Sequence, residues 1–188
     1  MSITIKTPAE QDAMRVAGHL TAAVLDMIGP FIQPGVTTDE LDRICHDYIV
    51  DVQHAIPAPL NYRGFPKSIC TSVNHVVCHG IPGDKTLRLG DIVNVDVTTI
   101  VDSWHGDQSE TFLIGDVSPN VKAVVQCSFD SLYLAIDALT PNCPVSVIGE
   151  TIVSFVKKRY GFGVVDKYVG HGIGTRFHQR PNVPHVPT

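Results

Sequence analysis

The sequence predicts an α+β fold in which two related halves place helices on a common, mostly antiparallel sheet. Two segments with helix-start signals open the chain, and strand-like segments follow near 67–73, 92–100 and 104–114. The order of two helices and then strands begins again after Gly115. This repetition indicates two pseudo-related halves, although their sequence identity is weak.

Two helices are expected in the first half. Thr7-Pro8-Ala9-Glu10 combines a capping threonine, a proline at the first helical position and a glutamate three residues later, which predicts a helix over about 8–29. Gly29-Pro30 ends this helix, and Thr37-Thr38-Asp39-Glu40 repeats the capping pattern and opens a second one. The second helix would place its apolar residues on one face: Leu41, Ile44, Cys45, Tyr48 and Ile49.

The second half starts with Ser118-Pro119, which predicts a helix that continues to about Leu139. Ser146 is expected to cap a further helix that ends near Gly161, and a short strand is expected over 163–169. No counterpart of the 92–114 hairpin follows before Thr188. The second half is therefore expected to be incomplete.

Composition excludes several classes of protein. The chain has 188 residues with 44% apolar and 18% charged content, so it can bury a full core and is not disordered. Its net charge of −5 argues against direct binding of nucleic acid, and no apolar run approaches the ~18 residues of a membrane span. Five cysteines without a repeating pattern, and a start without a signal-peptide core, predict free thiols and a cytoplasmic location.

Two aspartates in neighbouring strand-like segments are the most informative residues of the chain. If Asp102 and Ser103 form a two-residue turn, Asp107 falls opposite Thr98 and diagonal to Asp96. The two carboxylates then point to the same face and can share a cation. Alternatively, the turn differs, or both carboxylates are solvated on an exposed sheet face.

Three histidines lie in glycine-rich or turn-like segments that can bring a side chain to the surface. They are His79, His171 and His178. Neighbouring glycines permit sharp turns and the close approach of a ligand. A histidine taken alone is more often an ordinary surface or core residue, so this pattern by itself leaves their role open.

Several longer sequence blocks accompany these residues in a fixed order. They include Pro34-Gly35-Val36-Thr37, Tyr62-Arg63-Gly64-Phe65-Pro66-Lys67-Ser68, Val77-Cys78-His79-Gly80-Ile81-Pro82, Gly90-Asp91-Ile92-Val93-Asn94-Val95-Asp96, His105-Gly106-Asp107 and Gly170-His171-Gly172-Ile173-Gly174. With these blocks the chain resembles, over essentially its whole length, the type I methionine aminopeptidases of the creatinase, or pita-bread, family. The resemblance implies a curved pita-bread sheet and removal of the initiator methionine from nascent proteins.

The resemblance also implies a metal site and a catalytic pair. It assigns metal coordination to Asp96, Asp107 and His171, with Asp107 bridging two ions in a complete site. It assigns catalytic contacts with the substrate to His79 and His178, one near the amine and amide nitrogen of the first peptide bond and the other near its carbonyl. The implied cofactors are divalent ions, namely cobalt, manganese, iron, nickel or zinc.

A pocket for the methionine side chain is implied as well. Tyr62, Phe65 and Cys70 match the family positions that line it, and ordinary core packing is the alternative role for each. Pro59 stands where many bacterial members carry a cysteine beside this pocket.

The chain departs from the family in its metal ligands. Two metal-binding glutamates of the family lie downstream of the second conserved histidine, whereas the only glutamates here all precede His171: Glu10, Glu40, Glu110 and Glu150. We therefore expect residues 1–188 to be a single catalytic domain that lacks its C-terminal part. Such a chain would bind at most one metal ion weakly, and its own activity is in doubt.

Three functions remain open at this point. The favoured one is a methionine aminopeptidase that acts on nascent chains, with the ribosome as a further partner; the alternatives are a short, catalytically silent paralogue that binds a peptide or a partner, and a proline-specific peptidase. The methionine aminopeptidase is favoured because five site residues occur together, namely His79, Asp96, Asp107, His171 and His178. The complete enzyme is expected to be a monomer, whereas a chain ending at Thr188 would expose a sheet edge and tend to associate.

Overall fold

Four α-helices and six strands make up the α+β architecture of residues 3–188, which a computed structural model of the protein describes. The helices are α1 (Pro8–Ile28), α2 (Thr38–Asp47), α3 (Pro119–Asp137) and α4 (Ser146–Arg159). The strands are β1 (Ile56–Pro57), β2 (Cys70–Val73), β3 (Ile92–Val101), β4 (Trp104–Leu113), β5 (Gly170–Gly172) and β6 (Gln179–Val183).

The chain divides into two compact units. The first, here called the sheet unit, comprises Ile5–Val117 and Ile173–Phe177. The second, here called the helical unit, comprises Ser118–Gly172 and His178–Thr188 together with residues 3–4. The prediction of one domain over 1–188 therefore stays a prediction.

The sheet unit contains a four-stranded antiparallel sheet. Its central strand, β3, pairs with β1, β2 and β4. The connection between β3 and β4 is the expected two-residue turn, in which Asp102 and Ser103 both have positive φ angles of 48° and 72°. Such a turn matches the twist of the two strands and fixes their register. Asp107 accordingly lies opposite Thr98, which confirms the predicted register.

One face of this sheet is buried under α1. Val93, Val95 and Val97 alternate along β3 and are all 0% exposed, as expected for side chains that point to one face of a strand. Gly106 in β4 permits the close packing of α1, because a Cβ atom there would lie 2.3 Å from the carbonyl oxygen of Ala17. The core of the protein therefore lies on this face, and the opposite face of the hairpin remains available for a site.

The predicted helix starts in the sheet unit are confirmed. Thr7 accepts a hydrogen bond from the Glu10 N–H, the Glu10 side chain caps the Thr7 N–H in return, and α1 begins at Pro8. Thr37 accepts from the Glu40 N–H at the start of α2. On the apolar face expected for the second helix, Leu41, Cys45 and Ile49 are buried, whereas Ile44 and Tyr48 are partly buried. A π-helical turn, Tyr48–Val52, extends the helix.

The helical unit contains α3, α4 and the antiparallel ribbon of β5 and β6. Ser118 caps α3 as predicted, because its side chain accepts from the Val121 N–H. The cap predicted at Ser146 is wrong. Val145 already has helical dihedral angles and precedes α4 as its N-cap, so Ser146 is the first helical residue and its hydroxyl does not cap the helix.

The strand predicted over 163–169 is also wrong. Within the described residues, no strand forms there, and the ribbon strand begins only at Gly170. Residues that favour β structure are not sufficient for a strand, since a strand requires a neighbour to hydrogen-bond with. β6 supplies that neighbour only for Gly170, His171 and Gly172.

None of the helices within residues 3–188 combines the length and the apolar character needed to cross a bilayer.

Candidate metal centre

The outer face of the β3–β4 hairpin carries both aspartates. Asp96 lies opposite Ser109 and Asp107 opposite Thr98, so the aspartates are diagonal neighbours. Their side chains point away from the valines of the core because strand side chains alternate between the two faces. Asp96 is half-buried and Asp107 is exposed. The predicted juxtaposition of two carboxylates is therefore present.

The carboxylates of Asp96 and Asp107 repel each other when both are charged. Burial and, second, the charge of Asp107 raise the pKa of Asp96 to about 7. Burial and the charge of Asp96 likewise raise the pKa of the Cys70 thiol, which faces Asp96 from β2, to about 12. Cys70 is therefore a neutral thiol at physiological pH. A cation between the two carboxylates would relieve their repulsion.

Hydrogen bonds from neighbouring side chains order this face. The Thr98 hydroxyl donates to Asp107 Oδ1 at 3.1 Å. Further along the hairpin, Asn94 Nδ2 donates to the hydroxyl groups of Ser109 at 3.3 Å and of Thr111 at 3.1 Å. Polar side chains of β3 and β4 are thus hydrogen-bonded to each other across this face.

The start of β2, which carries Cys70, is fixed by a buried carboxylate on α2. The N–H groups of Ser68 and Ile69 donate to Asp42 Oδ1 at 2.8 and 3.1 Å. Burial raises the pKa of Asp42, although these two hydrogen bonds favour its charged form. Because Cys70 directly follows Ile69, the contact helps to set its position opposite Asp96.

The three residues predicted to line a side-chain pocket all belong to the sheet unit. Cys70 is buried, whereas Tyr62 and Phe65 are half-buried. The Tyr62 ring packs on the ring of Phe177, with a centroid distance of 4.9 Å. The role of these three residues as the lining of a pocket stays a prediction.

His79 lies on a segment that hydrogen-bonds to β2. The Thr71 N–H donates to the Gly80 carbonyl oxygen at 2.8 Å, and the Gly80 N–H donates to the Ser72 hydroxyl at 3.2 Å. A Cβ atom on Gly80 would lie 2.1 Å from the Thr71 carbonyl oxygen, so only glycine allows this approach. His79 is exposed, with a positive φ of 55°.

His171 and His178 lie together in the helical unit, with ring centroids 4.2 Å apart. The Nδ1–H of His171 donates to the Gly172 carbonyl oxygen at 3.1 Å, because a carbonyl can only accept. In the neutral ring the lone pair then belongs to Nε2, which is the usual arrangement of an imidazole that binds a metal.

Sequence reasoning assigned no role to His105 or Phe177, which the structure brings together. The backbone N–H and the Nδ1–H of His105 both donate to the Gly174 carbonyl oxygen at 2.9 Å. The His105 ring also stacks on Phe177 at 5.8 Å. The alternation of side chains along β4 gave a signal for His105, because it lies two residues before Asp107 and therefore on the same face.

The donor set suits a divalent cation. Asp96 and Asp107 supply hard carboxylate oxygens, the ligands that manganese and other hard divalent ions prefer. The role of His171 as a further ligand stays a prediction. Within residues 3–188, no three His, Cys, Asp or Glu side chains already form a metal-binding cluster. The register of the hairpin brings the two carboxylates to one face of the sheet.

Comparisons with known proteins agree with this fold. The sequence profile of metallopeptidase family M24 matches residues 12–188. Methionine aminopeptidase of Escherichia coli (strain K12) is 52% identical over 186 residues, which cover 98% of this chain and 70% of that protein. A crystal structure of methionine aminopeptidase from Rickettsia prowazekii matches with a TM-score of 0.96 at 46% identity, over 100% of this chain and 75% of that one.

A prolidase from Pyrococcus furiosus matches with a TM-score of 0.81 at 19% identity, over 96% of this chain and 52% of that one, and so shares the fold alone. The predicted pita-bread fold is thus confirmed. With its α+β architecture, its paired hairpin carboxylates and these sequence matches, the chain belongs to metallopeptidase family M24.

Proposed function

We propose that this protein is a methionine aminopeptidase, which removes the initiator methionine from nascent proteins by metal-dependent hydrolysis of the first peptide bond. The observation that carries the proposal is the pair of carboxylates held on one face of the β3–β4 hairpin. Sequence identity of 52% to the Escherichia coli methionine aminopeptidase supports the choice of substrate.

Asp96, Asp107 and His171 are the proposed ligands of the divalent ion. These three side chains are proposed to hold one divalent ion. When bound, the ion would polarise the scissile carbonyl and lower the pKa of a water molecule bound to it. Manganese, iron and cobalt suit this set best, and nickel and zinc are further candidates.

His79 and His178 are the proposed catalytic contacts with the peptide. One imidazole would lie near the amine and the amide nitrogen of the first peptide bond. The other would donate a hydrogen bond to the scissile carbonyl oxygen, where negative charge develops during hydrolysis. The exposure of both side chains is consistent with access of a peptide.

Tyr62, Phe65 and Cys70 are the proposed lining of the pocket for the methionine side chain. The neutral Cys70 thiol and the Tyr62–Phe177 ring pair provide soft, polarisable contacts for a thioether. A nascent chain in the cytoplasm, at or near the ribosome, is the proposed physiological substrate.

The test compares charge-removing variants of the hairpin in the purified protein. Asp96→Asn and Asp107→Asn each remove a proposed ligand, whereas Asp102→Asn removes an equal charge in the turn of the same hairpin. Asparagine is well tolerated at the positive φ angle of Asp102. Release of methionine from a Met-Ala-Ser peptide is measured with added Mn²⁺ or Co²⁺, and folding of each variant is checked by urea unfolding.

We expect metal-dependent release by the wild-type protein and the Asp102→Asn variant, and loss of release in both ligand variants. Unchanged rates in Asp96→Asn and Asp107→Asn would refute the proposed ligands. A folded wild-type protein that releases no methionine with any of the five metals would refute the proposed activity.

A further inference from the structure

We propose that Thr98 is a positioning residue that holds the Asp107 carboxylate in the direction required for binding a divalent cation. This inference rests on the proposed metal-dependent function, and it assigns to a buried threonine a part in metal affinity. Thr98 itself is not proposed as a ligand.

The contact that carries the inference lies across the hairpin. Thr98 is directly opposite Asp107, and its Oγ1 donates to Asp107 Oδ1 at 3.1 Å. An ionised carboxylate has only acceptors, so the hydroxyl must be the donor in this state. A hydrogen bond to one carboxylate oxygen restricts rotation about the Cβ–Cγ bond and thereby fixes the direction of the other oxygen.

Thr98 can impose this direction because its own position is rigid. It is only 2% exposed and lies in the central strand of the sheet. On the backbone side, the Ala58 N–H donates to the Thr98 carbonyl oxygen at 2.9 Å. Asp107, by contrast, lies at the exposed surface of the hairpin.

The adjacent Thr99 offers a matched comparison. It is also a buried threonine of β3, but its side chain points to the opposite face, where its hydroxyl lies 2.6 Å from that of Thr21 on α1. Loss of the Thr99 hydroxyl would affect the packing of α1 on the sheet and not the carboxylates. A change specific to Thr98 therefore separates positioning of the ligand from general weakening of the fold.

The experiment measures Mn²⁺ binding by isothermal titration calorimetry, which requires no catalytic turnover. The variants are Thr98→Val, which keeps the shape and removes the hydroxyl, Thr98→Ser, which keeps the hydroxyl, and Thr99→Val as the control. Thr98→Ala is a second variant without the hydroxyl. Unlike valine, alanine places no methyl group beside the Asp107 carboxylate in the position of the lost hydroxyl. Urea unfolding of every variant reports on stability, and Asp107→Asn tests the metal site itself.

We expect Mn²⁺ affinity to fall about 10- to 100-fold in Thr98→Val and Thr98→Ala, as for other residues that orient metal ligands. Thr98→Ser should restore most of the affinity, and Thr99→Val should lower stability while leaving affinity unchanged. If Asp107→Asn weakens binding but Thr98→Val and Thr98→Ala do not, the role of Thr98 is refuted and the metal site stands. If Asp107→Asn binds Mn²⁺ like the wild type, the proposed site itself is wrong.

Discussion

The two units use the same sequence signals for their helices, but the helix of the sheet unit buries its apolar face far more completely than the corresponding helix of the helical unit. In the sheet unit, Val24 and Ile28 of α1 are 0% exposed and pack with the sheet valines. In the helical unit, Phe129, Leu132 and Ile136 of α3 are 57, 54 and 51% exposed. Both helices have a proline in the first turn and a side-chain cap.

The difference shows which property a local pattern determines. Caps and apolar periodicity favour a helix whatever surrounds it. Burial, in contrast, depends on a second surface that covers the apolar face. Within the described residues, the sheet unit supplies such a surface in a four-stranded sheet, whereas the strands of the helical unit form a two-stranded ribbon.

The largest expected effect distinguishes two leucines on the two helices. Leu25 in α1 is 2% exposed, whereas Leu132 in α3 is 54% exposed. Leu25→Ala should lower the free energy of unfolding by about 2–5 kcal/mol, because it leaves a cavity in the core. Leu132→Ala should change it by about 0.5 kcal/mol or less. Urea unfolding of both variants provides the measurement, and equal losses would contradict the contrast between the units.

A second contrast concerns two glycines that differ in their surroundings. Gly106→Ala would force a Cβ against the Ala17 carbonyl oxygen in the sheet unit, whereas a Cβ on Gly163 in the helical unit would meet no atom within 4 Å. We expect Gly106→Ala to cost about 1–3 kcal/mol, and Gly163→Ala to be neutral or slightly stabilising. Thermal unfolding would show this as a lower melting temperature for Gly106→Ala alone.

Much of the fold could be predicted because its signals are local. The register of the central hairpin followed from the length of its turn, and the starts of α1, α2 and α3 followed from capping residues. The two errors, at Ser146 and over 163–169, involve the helical unit. There the outcome depended on a helical Val145 and on which residues β6 pairs with, and neither is visible in a local pattern.

The candidate site was predictable to a smaller extent. The alternation of side chains along strands, together with the turn length, is sufficient to place Asp96 and Asp107 on one face. The contacts of His105 with Gly174 and Phe177 join residues far apart in the sequence. Such contacts are set by the path of a loop, and spacing alone does not reveal them.

A third prediction compares the opening of the two units through buried cysteines. Cys45 in α2 and Cys127 in α3 are 0 and 3% exposed, and burial raises the pKa of both thiols. Each must therefore become accessible before an alkylating reagent modifies it. Since the helical unit has the smaller core, Cys127 should react at least about tenfold faster than Cys45, which corresponds to about 1.4 kcal/mol in opening free energy.

Iodoacetamide labelling under native conditions, followed by mass spectrometry of peptides, measures both rates. Labelling in urea is the control, since the two thiols should react at similar rates once the chain is unfolded. Faster labelling of Cys45 than of Cys127 would show that the sheet unit is the less stable one.

The smallest expected effects come from the caps of α1 and α3. Thr7→Ala and Ser118→Ala each remove a side-chain cap and should cost about 1 kcal/mol at neutral pH. The two caps should respond differently to acid. The N–H and hydroxyl of Thr7 donate to Glu10 at 2.7 and 2.9 Å and lower the pKa of Glu10, whereas the third residue of α3 is Val121, which does not ionise.

Because folding lowers the pKa of Glu10, its contribution is complete above its unfolded pKa of about 4.3 and is lost as the pH falls through the lower folded value. The cost of Thr7→Ala should therefore shrink in acid, while the cost of Ser118→Ala stays constant. Urea unfolding of the wild type and both variants, at neutral pH and at about pH 3, tests whether the two costs respond differently to acid. An acid-independent cost for Thr7→Ala would mean that the Glu10 contacts add nothing to the cap.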